Sequence, residues 1–102
     1  MHKHIYSILF LLLTSLSVSA QVTVTGIVTE EDTGAPLIGV TIIEEGTSRG
    51  TVTDINGEYS ITLDDVNTNL VFSYIGYVTQ TQTVLSLKPL NVILATDTES
   101  LD

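Results

Sequence analysis

The sequence predicts an all-β sandwich of six or seven strands. Three observations carry that prediction. Short runs rich in Val, Ile and Thr recur about every ten residues from Val22 to Leu94, with Gly, Pro, Asp or Asn between them. Glu58–Leu63 alternates cleanly, placing Tyr59, Ile61 and Leu63 on one face. Beyond residue 20 no stretch of useful length repeats its apolar residues at the helical period.

Residues 1–20 stand apart from this pattern. Lys3, flanked by His2 and His4, gives a weakly positive start, and Ile5 to Leu16 is a mostly apolar run of twelve residues. Ser17-Val18-Ser19-Ala20 follows, with small residues where a signal peptidase cuts. A membrane helix is the competing reading, but twelve residues fall short of the roughly 18 to 20 that span a bilayer. The expectation is a signal-peptide helix cleaved after Ala20. No Cys follows the cut, which disfavours a lipid anchor.

The remaining 82 residues are expected to form one domain over 21–95, followed by a polar linker or the start of a plug region over 96–102. The first strand is expected in Val22–Val28. A polar turn, Glu30 to Pro36, precedes a second run at Val40–Ile43. Gly50–Thr53 is short. Glu58–Leu63, Leu70–Ile75, the Thr- and Gln-rich Tyr77–Leu85, and Leu90–Leu94 complete the set. Period-two alternation assigns Val22, Val24, Val28, Val40, Ile42, Tyr59 and Ile61 to the core. It adds Leu63, Leu70, Phe72, Tyr74, Val92 and Leu94.

Charge narrows the partners. After residue 20, Arg49 and Lys88 face twelve acidic residues, a net charge of −10. Nucleic acids and anionic membrane surfaces call for a basic patch, so neither is an expected partner, and no membrane insertion of this part is expected. Cysteine is absent, so no disulfide supports the fold.

Catalysis is poorly supplied. Both histidines precede residue 20 and there is no thiol, so the Ser and Thr hydroxyls lack an activating base. Glu44-Glu45 and Asp64-Asp65 are carboxylate pairs, but neighbours on a strand point to opposite faces. No catalytic residue, cofactor or metal ligand is assigned, and no enzyme activity is expected.

Asp54-Ile55-Asn56-Gly57 raises the metal question directly. In a calcium loop with Gly57 at the sixth position, Asp54 and Asn56 supply oxygens at the third and fifth. Val52 then falls at the first position and Leu63 at the twelfth, where carboxylates are required. The turn of a β-hairpin asks for less: a residue tolerant of positive φ and an Asp that bonds nearby N–H groups. The hairpin turn is therefore the expectation. The polar strand at Thr79–Thr83 leaves two readings open, a site for β-augmentation or a solvated edge, with the edge favoured because polar edges discourage pairing.

The stretches "VTGIVTEEDTGAPLIGVTIIEEGTSRGTVTDINGEYSITL" and "LVFSYIGYVTQTQTV" together resemble the carboxypeptidase D regulatory-like domain. More narrowly, they resemble its copy at the N-terminus of SusC-type TonB-dependent outer-membrane receptors of Bacteroidetes. The residues that carry the resemblance are Gly26, Gly34, Pro36, Gly39, Gly50, Asp54, Gly57, Tyr59, Gly76 and Tyr77. The resemblance implies a seven-stranded, transthyretin-like Greek-key sandwich without catalytic activity. It implies export, a periplasmic place at the outer membrane, and partners (the TonB system and a SusD-like lipoprotein) reached through a full-length receptor. In such receptors a TonB-contacting segment follows an acidic stretch like Thr98–Asp102; plug and barrel do not occur in these 102 residues. A free-standing secreted module for carbohydrate or a protein partner is the alternative.

Overall fold

β-Branched residues fit a pleated, half-buried surface, and seven of the runs form strands. The computed structural model describes residues 21–97; the expected signal-peptide helix and the acidic stretch Thr98–Asp102 lie outside the described residues. The strands are β1 (Val22–Glu30), β2 (Thr41–Glu44), β3 (Gly50–Val52), β4 (Glu58–Leu63), β5 (Thr68–Ser73), β6 (Gln80–Val84) and β7 (Val92–Leu94). They form a three-stranded sheet in the order β4-β1-β7 and a four-stranded sheet in the order β3-β2-β5-β6. All pairings are antiparallel except β1 with β7.

Register follows burial. Val24 opposes Ile61 and Val22 opposes Leu63, so the inward faces of β1 and β4 coincide. Within the second sheet, Ile42 of β2 opposes Phe72 of β5. Tyr59 and Phe72, one from each sheet, meet edge to face with ring centroids 5.5 Å apart. Val24, Val28, Val40, Ile42, Leu63, Leu70, Phe72 and Leu94 are fully buried, with Tyr59, Ile61 and Val92 nearly so.

Three details depart from the expected pattern. Val84 is also buried, though its polar strand gave little sign of it. Val22 and Tyr74 pack only on the margin of the core, because both sit at the end of a face. Leu70–Ile75 is shifted: β5 begins at Thr68 and stops at Ser73, where a turn takes over. Gly76 has φ +88°, and Tyr77 N–H donates to the Tyr74 carbonyl at 3.1 Å.

The two sheets are stitched along one side. Val78 N–H donates to the Ala95 carbonyl at 2.9 Å and Asp97 N–H to the Gly76 carbonyl at 2.9 Å. Tyr77 and Thr96 form an antiparallel bridge, and the Gln80 amide donates to the Ile93 carbonyl. Hydrogen-bonded structure thus continues past β7 through Asp97. No helix among the described residues is long and apolar enough to cross a membrane.

Candidate functional site

The Asp54–Gly57 turn is a corner, not a hairpin. It joins β3 of one sheet to β4 of the other, which corrects the hairpin expectation. The local chemistry resembles a hairpin's, because Asp54 N–H donates to the Glu58 carbonyl at 2.9 Å and Gly57 N–H to the Asp54 carbonyl at 2.9 Å. The Asp54 carboxylate accepts from Asn56 N–H at 2.9 Å and Glu58 N–H at 3.0 Å. That carboxylate oxygen is turned into its own loop. Among the described residues no group of three or more acidic residues is placed to hold a metal ion.

Gly57 is required twice over. Its φ is +74°, and a Cβ there would lie 2.7 Å from the Val28 carbonyl oxygen and 2.9 Å from Pro36 Cβ. Val28 in turn donates its N–H to the Gly57 carbonyl at 2.8 Å and accepts from Leu37 N–H at 3.0 Å. The Gly34–Gly39 segment and the corner therefore meet side by side on the same edge of β1, just ahead of β4. Gly34 and Gly39 both take positive φ in this segment, and Gly39 stands over the Tyr74 ring.

Thr53 locks the same junction from the other sheet. It is the one buried polar side chain among the described residues. Its hydroxyl donates to the Leu37 carbonyl at 2.6 Å and accepts from Val40 N–H at 2.9 Å. Both demands of the buried hydroxyl are thus met. The sequence offered one signal for this role, a Thr directly ahead of the Asp-x-x-Gly turn.

Gly26 and Tyr59 share a second junction. A Cβ on Gly26 would fall 1.9 Å from the Leu90 carbonyl oxygen and 2.8 Å from the Tyr59 ring. The missing side chain lets Leu90 tuck against β1, and the Tyr59 hydroxyl donates to that same carbonyl at 2.6 Å. Burial pushes the Tyr59 hydroxyl up to about 12. Leu90 N–H donates to the Thr25 carbonyl at 2.8 Å, and Ile27 N–H to the Asn91 side chain at 2.9 Å. Asn91 was not singled out in the sequence; an Asn beside Pro89 and Leu90 gives no pattern by itself. Tyr77 packs against Tyr74, with ring centroids 5.5 Å apart. Its hydroxyl is raised by desolvation first, then by the hydrogen bond and charge of Glu30.

Nine of the ten motif residues fall into three clusters. Gly34, Pro36, Gly39, Asp54 and Gly57 gather at the corner, Gly26 and Tyr59 at the Leu90 junction, and Gly76 and Tyr77 on the stitched side. Gly50 opens β3, where a Cβ would press within 2.8 Å of the Ile42 carbonyl.

Between the corner and the Leu90 junction lies a groove of about 690 Å³ on the outer face of β4 and β1. Val52 and Asp54 form one wall, Pro89 and Asn91 the other, and Ile27, Glu58 and Ser60 rise from the floor. Ladder alternation decides which backbone groups border it. Arg49 and Thr53 bond toward β2, so Gly50 and Val52 turn their peptide groups outward. Glu58 bonds into the corner, so Ser60, two residues on, also faces away from β1.

The CarboxypepD_reg-like domain family matches residues 24–102. The chain belongs to this family. Its relatives are far longer proteins. One is TonB-dependent receptor P39 of Formosa agariphila, 46% identical over 93% of this chain and 9% of the receptor. TonB-dependent receptor P3 of the same organism is 40% identical over 99% of this chain and 10% of its own length. TonB-dependent receptor SusC of Bacteroides thetaiotaomicron is 42% identical over 80% of this chain and 8% of the receptor. The chain thus spans about a tenth or less of the receptors it matches. Among solved structures, a chain of a type II Cohesin-X-Dockerin complex from Acetivibrio cellulolyticus superposes with a TM-score of 0.56 at 21% identity, over 74% of this chain and 58% of that one. A second mutant of that complex gives 0.54 at 26% identity, over 72% and 56%. These likenesses speak for the sandwich fold.

Proposed function

We propose that this CarboxypepD_reg-like domain is a non-enzymatic periplasmic accessory domain of a SusC-like TonB-dependent outer-membrane transporter for a nutrient such as a glycan. One observation carries the reading: nearly the whole chain aligns, at 40–46% identity, with a small part of receptors of that class. The sequence supports it with a signal-like start and with no His or Cys after residue 20. The buried Thr53 hydroxyl is spent on two backbone partners rather than on chemistry. TonB and a SusD-like lipoprotein are partners of the receptor in this reading, reached through its other domains.

Localisation and association test it together. An epitope-tagged copy expressed in its native host is fractionated, cross-linked and purified. Recovery from the periplasmic side of the outer membrane, attached to a plug and barrel, is the expected result. Recovery from the culture medium, with no barrel and with retention on a glycan array, overturns it in favour of a free-standing binding module.

A further inference from the structure

From the groove over β4 and β1 we infer a docking site for an extended, positively charged segment of a protein partner. The inference stands on the groove alone and does not depend on the receptor role. Two exposed carboxylates border it, Asp54 at the corner and Glu58 at the start of β4. Among the described residues neither has an ion-pair partner. Arg49 is engaged by Glu44 at 3.5 Å and Asp64 at 3.3 Å. Beside the carboxylates sit exposed apolar side chains, Val52 at 60% and Ile27 at 40% accessibility. An apolar strip rimmed by unpaired charge of one sign is the pattern of an interaction surface.

The shape and the backbone select among occupants. The outward peptide groups of Val52 and Ser60 offer main-chain hydrogen bonds to an extended chain. No exposed aromatic ring lines the groove, since Tyr59 is only 4% accessible, so a sugar has no face to stack on. A second copy of this chain would bring Asp54 and Glu58 against their own counterparts, with a net charge of −10 on each copy after residue 20. A segment alternating Lys or Arg with aliphatic residues satisfies the carboxylates, the apolar strip and the edge groups at once.

The test is an amide-shift titration of the isotope-labelled chain with a blocked Lys-Val-Lys-Val-Lys-Val-Lys peptide. A Glu-Val peptide of equal length and cellohexaose serve as comparison probes. The expected result is saturable shifts confined to residues 25–27, 51–54, 58–60 and 91, for the Lys peptide alone. Asp54→Asn with Glu58→Gln is expected to weaken binding at least tenfold, and Val52→Ser several-fold, with the dispersed spectrum of each variant showing that it still folds. Shifts spread equally over Glu30–Asp32 and Asp64–Asp65, or insensitivity to Val52→Ser, overturn the site in favour of diffuse charge attraction. Groove shifts with cellohexaose alone, or on dilution of the chain through a dimer–monomer transition, overturn it in favour of a sugar or a second copy.

Discussion

The two long sides of the sandwich join the same pair of sheets by different means. On the β6–β7 side, backbone meets backbone: Val78 with Ala95, Gly76 with Asp97, and the Tyr77–Thr96 bridge. On the β3–β4 side the sheets are tied at one end by the Asp54–Gly57 corner. At the other end Arg49, just ahead of β3, reaches to Asp64 and, at 3.4 Å, to the Thr62 carbonyl. Between those ties Val52 and Ser60 keep outward peptide groups. The difference teaches where the surface is available. A seam bonded along its length by main chain uses up its edge groups, whereas one tied only at its two ends keeps edge groups, charge and a groove between the ties.

Substitutions can break or sharpen this contrast, and they rank by what each disturbs. Gly26→Ala should be the most severe. Its Cβ would collide with the Leu90 backbone, which cannot rotate aside, so a loss of about 3 kcal/mol or outright misfolding is expected in chemical denaturation. Val78→Pro removes one N–H from the stitched side. A loss of about 2 kcal/mol is expected, read as a lower thermal midpoint, with hydrogen exchange accelerating first at residues 76–80 and 93–97.

Alkaline pH sharpens the contrast from the core. Tyr59 is near 10 when unfolded and about 12 when folded. Its contribution is complete below pH 10 and disappears as pH rises toward 12, because the unfolded state gives up the proton first. Stability of the protein should therefore fall across that window, and Tyr59→Phe should flatten the fall attributable to this residue. The smallest effect is expected from Arg49→Met. Arg49 is partly exposed, its pair with Asp64 is solvent-screened and its pair with the more covered Glu44 is long at 3.5 Å, so the change should cost about 1 kcal/mol. A large loss from Arg49→Met together with a small one from Val78→Pro would invert the comparison.

Much of this was readable in the linear order of residues. A period of two is a property of the strand itself, so the burial of Val24, Val28, Ile61, Leu63 and Phe72 followed from alternation alone. Glycines between apolar runs marked the reversals, since positive φ is a local demand; Gly34, Gly39, Gly57 and Gly76 all take it. Tertiary structure decided what local rules do not address. Nothing in Asp54–Gly57 states that its flanking strands part into different sheets, because the turn's bonds are the same whether the strands then pair or diverge. The clash that excludes a side chain at Gly26 is with Leu90, 64 positions along the chain, and Thr53 acquires its role only when Leu37 and Val40 arrive beside it. The groove likewise exists only once β3, β4, β1 and the Pro89–Asn91 segment converge. Sequence by itself fixed which faces turn inward and where the chain bends; the long-range packing of those faces decided which backbone groups stay covered and which remain open to a partner.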